Sequence, residues 1–211
     1  YYKFLDRLIP YEIDNVRIRY EADNISKGYA RGLDMKIHGE FVPGIDSWAG
    51  LSLMRTREKI EDTFLTGQDG SLVEAGYIPR PTDQLFSFSM FFQDFLPRNP
   101  SYQVHLGFFF GTGLPFWAPT RNQVKDTGRM PSYQRVDIGF SKQLIGENSK
   151  FSEGNPFRHF ESLWITAEVF NLLEISNTIS YYWIKDVENQ FYAIPNYLTS
   201  RLINLKLIAR F

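Results

Sequence analysis

Cysteine is absent from the 211 residues, which excludes disulfides, cysteine-ligated zinc and a cysteine nucleophile together. Histidine is scarce: His38, His105 and His159 are the three present. No two of them stand at the i, i+2 or i, i+4 spacing, with a carboxylate companion, that a metal site uses. Charge of either sign is not in excess. Lys and Arg number 23 against 24 Asp and Glu, a formal net charge of −1, so there is neither a basic field for a phosphate backbone nor an acidic tail, and no nucleic-acid partner is expected. Long apolar runs are missing too. With charged residues at 22%, no window reaches the ~20 apolar residues of a membrane helix, so a membrane role would have to rest on strands. The opening residues YYKFLDRLIPYEID lack the basic start, apolar run and small-residue cleavage site of a secretory signal. An exported protein with this sequence is therefore expected to be mature or a fragment.

Aromatic side chains are plentiful, at 17% with 19 Phe and 12 Tyr. A β-rich protein with aromatic girdles has this composition, and so does a β-sandwich. The pattern along the chain has a period of two. Leu33, Met35, Ile37 and Phe41 alternate with Asp34, Lys36, His38 and Glu40; Ala49, Leu51 and Leu53 follow with Gly50, Ser52 and Met54 between and after them. Phe86, Phe88, Met90 and Phe92 form the next greasy face, then Tyr102, Val104, Leu106, Phe108 and Phe110, then Val136, Ile138 and Phe140. Leu163, Ile165, Ala167 and Val169 come after these, and Arg201 to Phe211 ends the chain with Ile203, Leu205, Leu207, Ala209 and Phe211 on one side. Alternation of this kind is the mark of a strand. The segment from Asn171 to Tyr182 also reads as strand, so that Leu163 to Trp183 extended covers roughly 70 Å and projects beyond a membrane span.

Between the strands, Pro43-Gly44-Ile45-Asp46 and Pro97-Arg98-Asn99-Pro100 are tight turns, with Pro and Gly where turn chemistry places them. Residues 11–27, 59–82, 112–131 and 183–200 are long connections, while 146–160 is the longest of the turns on its side. Short and long connections thus alternate, as periplasmic turns and external loops do in outer-membrane barrels. With Phe211 at the periplasmic rim, the short set falls on the periplasmic side and the long set outside. Charge placement agrees, since Asp34, Lys36, Asp137, Glu168 and Lys206 all lie opposite the greasy residues, and a Lys or Arg facing lipid near the midplane costs about 2–4 kcal/mol.

The expected fold is all-β: a transmembrane antiparallel β-barrel of which this chain supplies about eight strands, the first, Tyr1 to Ile9, being partial. Unpaired edges in lipid cost several kcal/mol per backbone group, so the sheet must close on itself or find partners. Two readings of the closure follow, the C-terminal end of a larger barrel or a self-contained eight-stranded barrel with a structural or adhesive role. A soluble β-sandwich is a third arrangement that buries greasy faces.

Four segments, GYARGLDMKIHGEFVPGIDSW, RMPSYQRVDIGFSKQL, LWITAEVFNLLEISNTISYYWI and AIPNYLTSRLINLKL, together with the terminal Phe211, resemble in this order the C-terminal barrel region of TonB-dependent outer-membrane receptors of the Bacteroidetes type. The resemblance covers essentially residues 1–211 as one barrel region. Asn171-Leu172-Leu173 resembles that family's Asn-Leu-Phe motif, with Leu173 in place of Phe. The resemblance implies a 22-stranded barrel in the bacterial outer membrane that imports a bulky nutrient such as an oligosaccharide, a peptide or a metal chelate. It implies as partners the remaining N-terminal strands and plug, TonB through that plug, a surface lipoprotein, the lipid bilayer, and the barrel-assembly machinery recognising Phe211. It implies no cofactor.

Candidate chemistry is sparse. Asp34, Glu40, Asp137 and Glu168 stand without a nucleophile motif beside them, and with His38 and His105 they read as polar lining; His159 falls in a turn. Gly111-Thr112-Gly113 has no helix after it and is a strand exit, and Asn24-Ile25-Ser26 is a chance sequon. The chain is not expected to be an enzyme. The external segments carry Phe116, Trp117 and Arg121 in one connection and Tyr181, Tyr182, Trp183 and Tyr192 in another. Aromatics beside polar groups either stack on sugars and aromatic chelators or pack the loops together, and both readings stand.

Overall fold

Eight strands follow one another as an antiparallel meander. In the computed structural model they are β1 (Tyr2–Leu8), β2 (Ser26–Val42), β3 (Ile45–Ile60), β4 (Phe86–Leu96), β5 (Asn99–Gly111), β6 (Tyr133–Ile145), β7 (Ser162–Phe170) and β8 (Leu202–Arg210). Their order in the sheet is their order in the chain, and a short ninth strand, Ile78–Pro79, pairs with β3. The structure describes residues 1–14, 17–20, 23–61, 63–66, 71–117, 127–146, 149, 151, 153–198 and 200–211. Among them the sheet does not close: β1 pairs only with β2, and β8 only with β7. Among the described residues no helix is long and apolar enough to cross a membrane.

The two tight turns close their hairpins, and a register shift beside each, between Glu40 and Val42 and between Asn99 and Gln103, sets the pairing beyond it. Pro43-Gly44 joins β2 to β3 and Pro97-Arg98 joins β4 to β5. Pro at the first central position followed by positive φ at the second is the pattern of a type II turn. Gly44 takes φ +80° at no steric cost, whereas Arg98 holds φ +71° despite its Cβ. The third connection on this side, 146–161, contains a short 3-10 helix, Pro156–His159, capped by Asn155, whose Oδ1 accepts from Phe157 N at 2.9 Å.

On the opposite side each long connection folds into a hairpin of its own. These pair Tyr11–Asp14 with Arg17–Tyr20, Phe64–Thr66 with Leu72–Glu74, Pro115–Phe116 with Gly128–Arg129, and Thr178–Lys185 with Phe191–Tyr197. The last of these corrects the expected continuous strand from Leu163 to Trp183. β7 stops at Phe170, because Asn171 and Glu174 adopt φ of +53° and +55°, a left-handed conformation incompatible with an extended chain. The chain turns over 171–177 and the outer strands form a separate two-stranded sheet.

Register carries the alternation across the sheet. Ile37 stands opposite Ala49, Ala49 opposite Met90, Met90 opposite Phe108 and Phe108 opposite Val136. Farther on, Ile138 faces Val169 and Val169 faces Ile203, while Phe140, Ala167 and Leu205 make a parallel row. Every greasy residue from Leu33 on β2 to Ala209 on β8 named in the sequence reading therefore lies on one face. Cross-strand ring pairs tie the middle of it, Phe86 with Phe110 at 5.7 Å and Phe88 with Phe108 at 5.8 Å between centroids, a spacing that adds about 0.5–1.5 kcal/mol per pair beyond area burial.

On β6 and β7 burial is inverted relative to a water-soluble sheet, while on β2 both faces are exposed. Leu33, Ile203 and Leu205 on the apolar face are 54%, 75% and 71% exposed, while Asp137 and Glu168 on the polar face are 8% and 7% exposed. Among the described residues the buried apolar side chains are Ile45, Ala75, Ile78 and Ile145, against eleven buried polar ones. A sandwich would cover the greasy face with a second sheet. Here that face is left open.

Candidate functional site

Two sets of side chains carry chemistry: the polar face of the sheet and the loop-side hairpins. The polar face is built where β5 to β8 bring alternate residues inward. Asp137 Oδ1 accepts from Arg135 Nε at 2.7 Å and from the Asn171 amide at 2.8 Å. The Arg135 guanidinium lies over the rings of Phe109 and Phe170, at 5.9 and 5.3 Å. One strand farther, Glu168 accepts from Asn204 Nδ2 at 2.8 Å and Lys206 Nζ at 3.1 Å, with His105 Nε2 3.6 Å from the same carboxylate. The Ser141 and Thr166 hydroxyls share a 2.9 Å hydrogen bond between β6 and β7. On β2 and β3, Ser52 Oγ donates to Asp34 at 2.5 Å, and Glu40 accepts from the Gly44 amide at 2.9 Å. Buried carboxylates are tolerated only with such donors. The expected lining residues Asp34, Glu40, His105, Asp137 and Glu168 thus share one face. His38 is on it as well, 3.9 Å from Asp46, and His159 is in the 3-10 helix. Among the described residues no group of three or more His, Asp or Glu is placed to hold a metal ion.

The loop side is held by groups that the alternation pattern does not single out. Asp83 is fully buried; it accepts from the Thr56 amide at 2.7 Å and forms an ion pair with Arg129, whose Nη1 also reaches the carbonyls of Asp83 and Gly113 at 2.7 and 3.0 Å. This fastens the Pro115–Phe116/Gly128–Arg129 hairpin to the end of β3. Asn177 performs the same task for the larger hairpin. Its Oδ1 accepts from Gln134 N at 2.8 Å and its Nδ2 donates to Gln134 O at 2.9 Å, imitating a strand partner. Asn171 closes the turn below it, exchanging hydrogen bonds of 3.0 and 3.2 Å with the Ile175 backbone.

Fastened in this way, the two hairpins meet through aromatic rings. Phe116 lies 4.6 Å from Tyr181 and 6.4 Å from Trp183, and Tyr181 lies 6.5 Å from Trp183. Tyr182 and Tyr192 belong to the other face of the hairpin. Register places Tyr182 opposite Ile194 and Ile184 opposite Tyr192, and all four are about half exposed. The seven external residues expected from sequence therefore divide. Phe116, Tyr181 and Trp183 pack against one another, Tyr182 and Tyr192 face outward, Trp117 is half-buried, and Arg121 lies outside the described residues. Asp83, Arg129 and Asn177 escaped the sequence reading, since each acts through a partner 27 to 46 residues away and no local pattern announces such a pair.

Aromatics also gather near the ends of the apolar face. On the turn side the Phe211 ring is 4.7 Å from Phe160, and Tyr102 is 5.5 Å from Phe140 with Lys142 Nζ over its ring. On the loop side Tyr2 stacks on Tyr29 at 5.9 Å and Tyr29 contacts Tyr77 at 5.5 Å. Beside them Lys27 Nζ donates to Glu61 at 2.6 Å, and this hydrogen bond holds the Glu61 carboxyl below the ordinary carboxylate range. No protein-family model, curated protein or solved structure matches the chain.

Proposed function

We propose that this chain forms part of the wall of a bacterial outer-membrane β-barrel, and that the barrel is a transporter of the TonB-dependent type importing a bulky nutrient such as an oligosaccharide, a peptide or a metal chelate. One observation carries the reading: the sheet leaves its apolar face open while its polar face buries Asp137, Ser141, Thr166 and Glu168 on β6 and β7, which is favourable where the apolar face meets hydrocarbon. From Ile203 to Phe211 the apolar row covers roughly 26 Å along β8, or about 20 Å along the membrane normal at a 40° tilt, close to the band of known barrels. Hairpins on one side and tight turns on the other supply the usual asymmetry of such walls.

The unpaired edges of β1 and β8 call for further strands to complete the barrel, and on this reading a plug inside it engages TonB. The outward aromatics Tyr182 and Tyr192 are offered to a ligand or a capping lipoprotein, while Phe116, Tyr181 and Trp183 shape the loop that presents them. Phe211 serves as the rim aromatic for barrel assembly. The test is folding into detergent. The chain alone should give no heat-modifiable band on electrophoresis, and should give one when combined with the strands that complete the barrel. A chain that stays monomeric in detergent-free buffer would sink the proposal.

The count of eight main strands favours one alternative, a self-contained barrel with a structural or adhesive role, since eight strands suffice for a small barrel. In it β1 pairs with β8. A disulfide between Phe4→Cys and Leu205→Cys, formed in the membrane at high yield, would establish that closure over the larger barrel.

A further inference from the structure

On the loop-side margin of the apolar face, β2 and β3 oppose like charges twice, Lys27 against Lys59 and Arg31 against Arg55. Arg31 and Arg55 stand directly opposite one another, and both are exposed. Like charges in that position destabilise a strand pair. Neighbouring cations are neutralised: Lys27 by Glu61 at 2.6 Å and Lys59 by Glu74 at 2.7 Å, while Arg57 donates to the Tyr77 carbonyl at 3.1 Å. Neither Arg31 nor Arg55 forms an ion pair with a described carboxylate. The Arg31 guanidinium lies over the Tyr29 ring at 5.5 Å, which leaves its edge nitrogens free to donate.

The surroundings are amphiphilic. One row toward the middle of the sheet, Leu33 faces Leu53, and one strand over, Tyr2 faces Arg31. Tyr2, Arg31, Leu33, Leu53, Arg55 and Leu85 line an open groove of about 630 Å3. A ligand filling it presents anionic oxygens to two guanidiniums and hydrocarbon to two leucines, Leu33 and Leu53. Arg is the side chain suited to bidentate capture of phosphate, and an interfacial position costs an Arg only about 0–1 kcal/mol in a barrel wall. We infer that Arg31 and Arg55 form a docking site for a membrane lipid whose phosphate headgroup carries net negative charge, as a zwitterionic headgroup does not, with its acyl chains along Leu33 and Leu53. This rests on the membrane-barrel reading above. The bound phosphate relieves the repulsion between the two arginines, so the site also fastens β2 to β3 at the bilayer surface.

The test is native mass spectrometry of the chain combined with the strands that complete the barrel, in dodecyl maltoside, with diphosphoryl lipid A, phosphatidylcholine or inorganic phosphate added. The protein should retain lipid A about tenfold better than phosphatidylcholine. Arg31→Gln/Arg55→Gln should abolish that preference, and Arg31→Lys/Arg55→Lys should keep part of it, as expected for charge without the bidentate fork. Lys142→Gln, on the turn-side end of the same face, should change nothing. Equal retention of lipid A by the double Gln variant overturns the site, as does saturation by inorganic phosphate that displaces the lipid. A protein that needs detergent yet takes up both lipids equally refutes only this site. A protein that stays dispersed without detergent and retains neither lipid refutes the barrel reading and the site with it.

Discussion

The two faces of the eight-stranded sheet are separated by a single step along each strand, yet they are organised by opposite physics. On β8, Leu205 projects into an unobstructed apolar surface, while its neighbours Asn204 and Lys206 are both bound to Glu168. The polar face is specified by hydrogen bonds between named partners. The apolar face is specified by continuity alone: any side chain of suitable hydrophobicity serves, provided no charge interrupts the row. A soluble sheet reverses these roles, placing specificity in its packed apolar face.

Substitution at adjacent positions is the strongest way to break the comparison. Leu205→Arg should destabilise the protein by about 2–4 kcal/mol in lipid, read as a shift in urea unfolding of tryptophan fluorescence in phosphatidylcholine vesicles. Asn204→Arg, one residue away, should cost less than about 1 kcal/mol, because Glu168 can accept from the new guanidinium. Equal effects at 204 and 205 would mean that the faces do not differ in environment.

Removal of a polar anchor comes next. Asp137→Ala leaves Arg135 Nε and the Asn171 amide without their acceptor and should cost about 2 kcal/mol. Faster amide exchange across 171–177 is the local signature, since that turn is fastened to β6 through Asp137 and Asn177. Unchanged exchange there would show that Asn177 holds the turn alone.

The smallest effects sharpen the comparison in the outer hairpin, where it is repeated on a lesser scale. Trp183→Ala removes contacts with Phe116 and Tyr181 and should cost about 1 kcal/mol of local stability, visible as increased protease cleavage within 178–197. Tyr182→Ala, on the outward face, should stay within about 0.5 kcal/mol. A larger loss at Tyr182 would place that ring in a packed interface.

Much of the sheet could be read from single residues and their neighbours. Alternation of Leu33, Met35 and Ile37 with Asp34, Lys36 and His38 identifies a two-faced strand because side chains of an extended chain point to opposite sides in turn. Pro43-Gly44 and Pro97-Arg98 locate hairpins because proline pre-sets φ for the first turn position. The break after Phe170 was not legible. Asn171 and Glu174 leave the extended region through local hydrogen bonds of Asn171 with Ile175, and the apolar pattern runs on through Ile175 and Ile179 as though the strand continued.

The external site was legible only as a set of aromatics. Phe116 and Tyr181 are 65 residues apart, and whether they touch depends on Asp83 holding Arg129 and on Asn177 holding Gln134. Likewise, the opposition of Arg31 and Arg55 exists because a register shift between Glu40 and Val42, just before the Pro43-Gly44 turn, aligns positions 24 apart; the turn alone would set Arg31 against Thr56.

What the sequence determined by itself is the two-faced, antiparallel character of the chain, since side-chain direction and turn geometry are local properties of an extended backbone. The tertiary structure alone decided which polar side chains are buried, where β7 ends, and which aromatics meet across the loops. Those outcomes rest on contacts between distant segments, whose free energies no local pattern encodes.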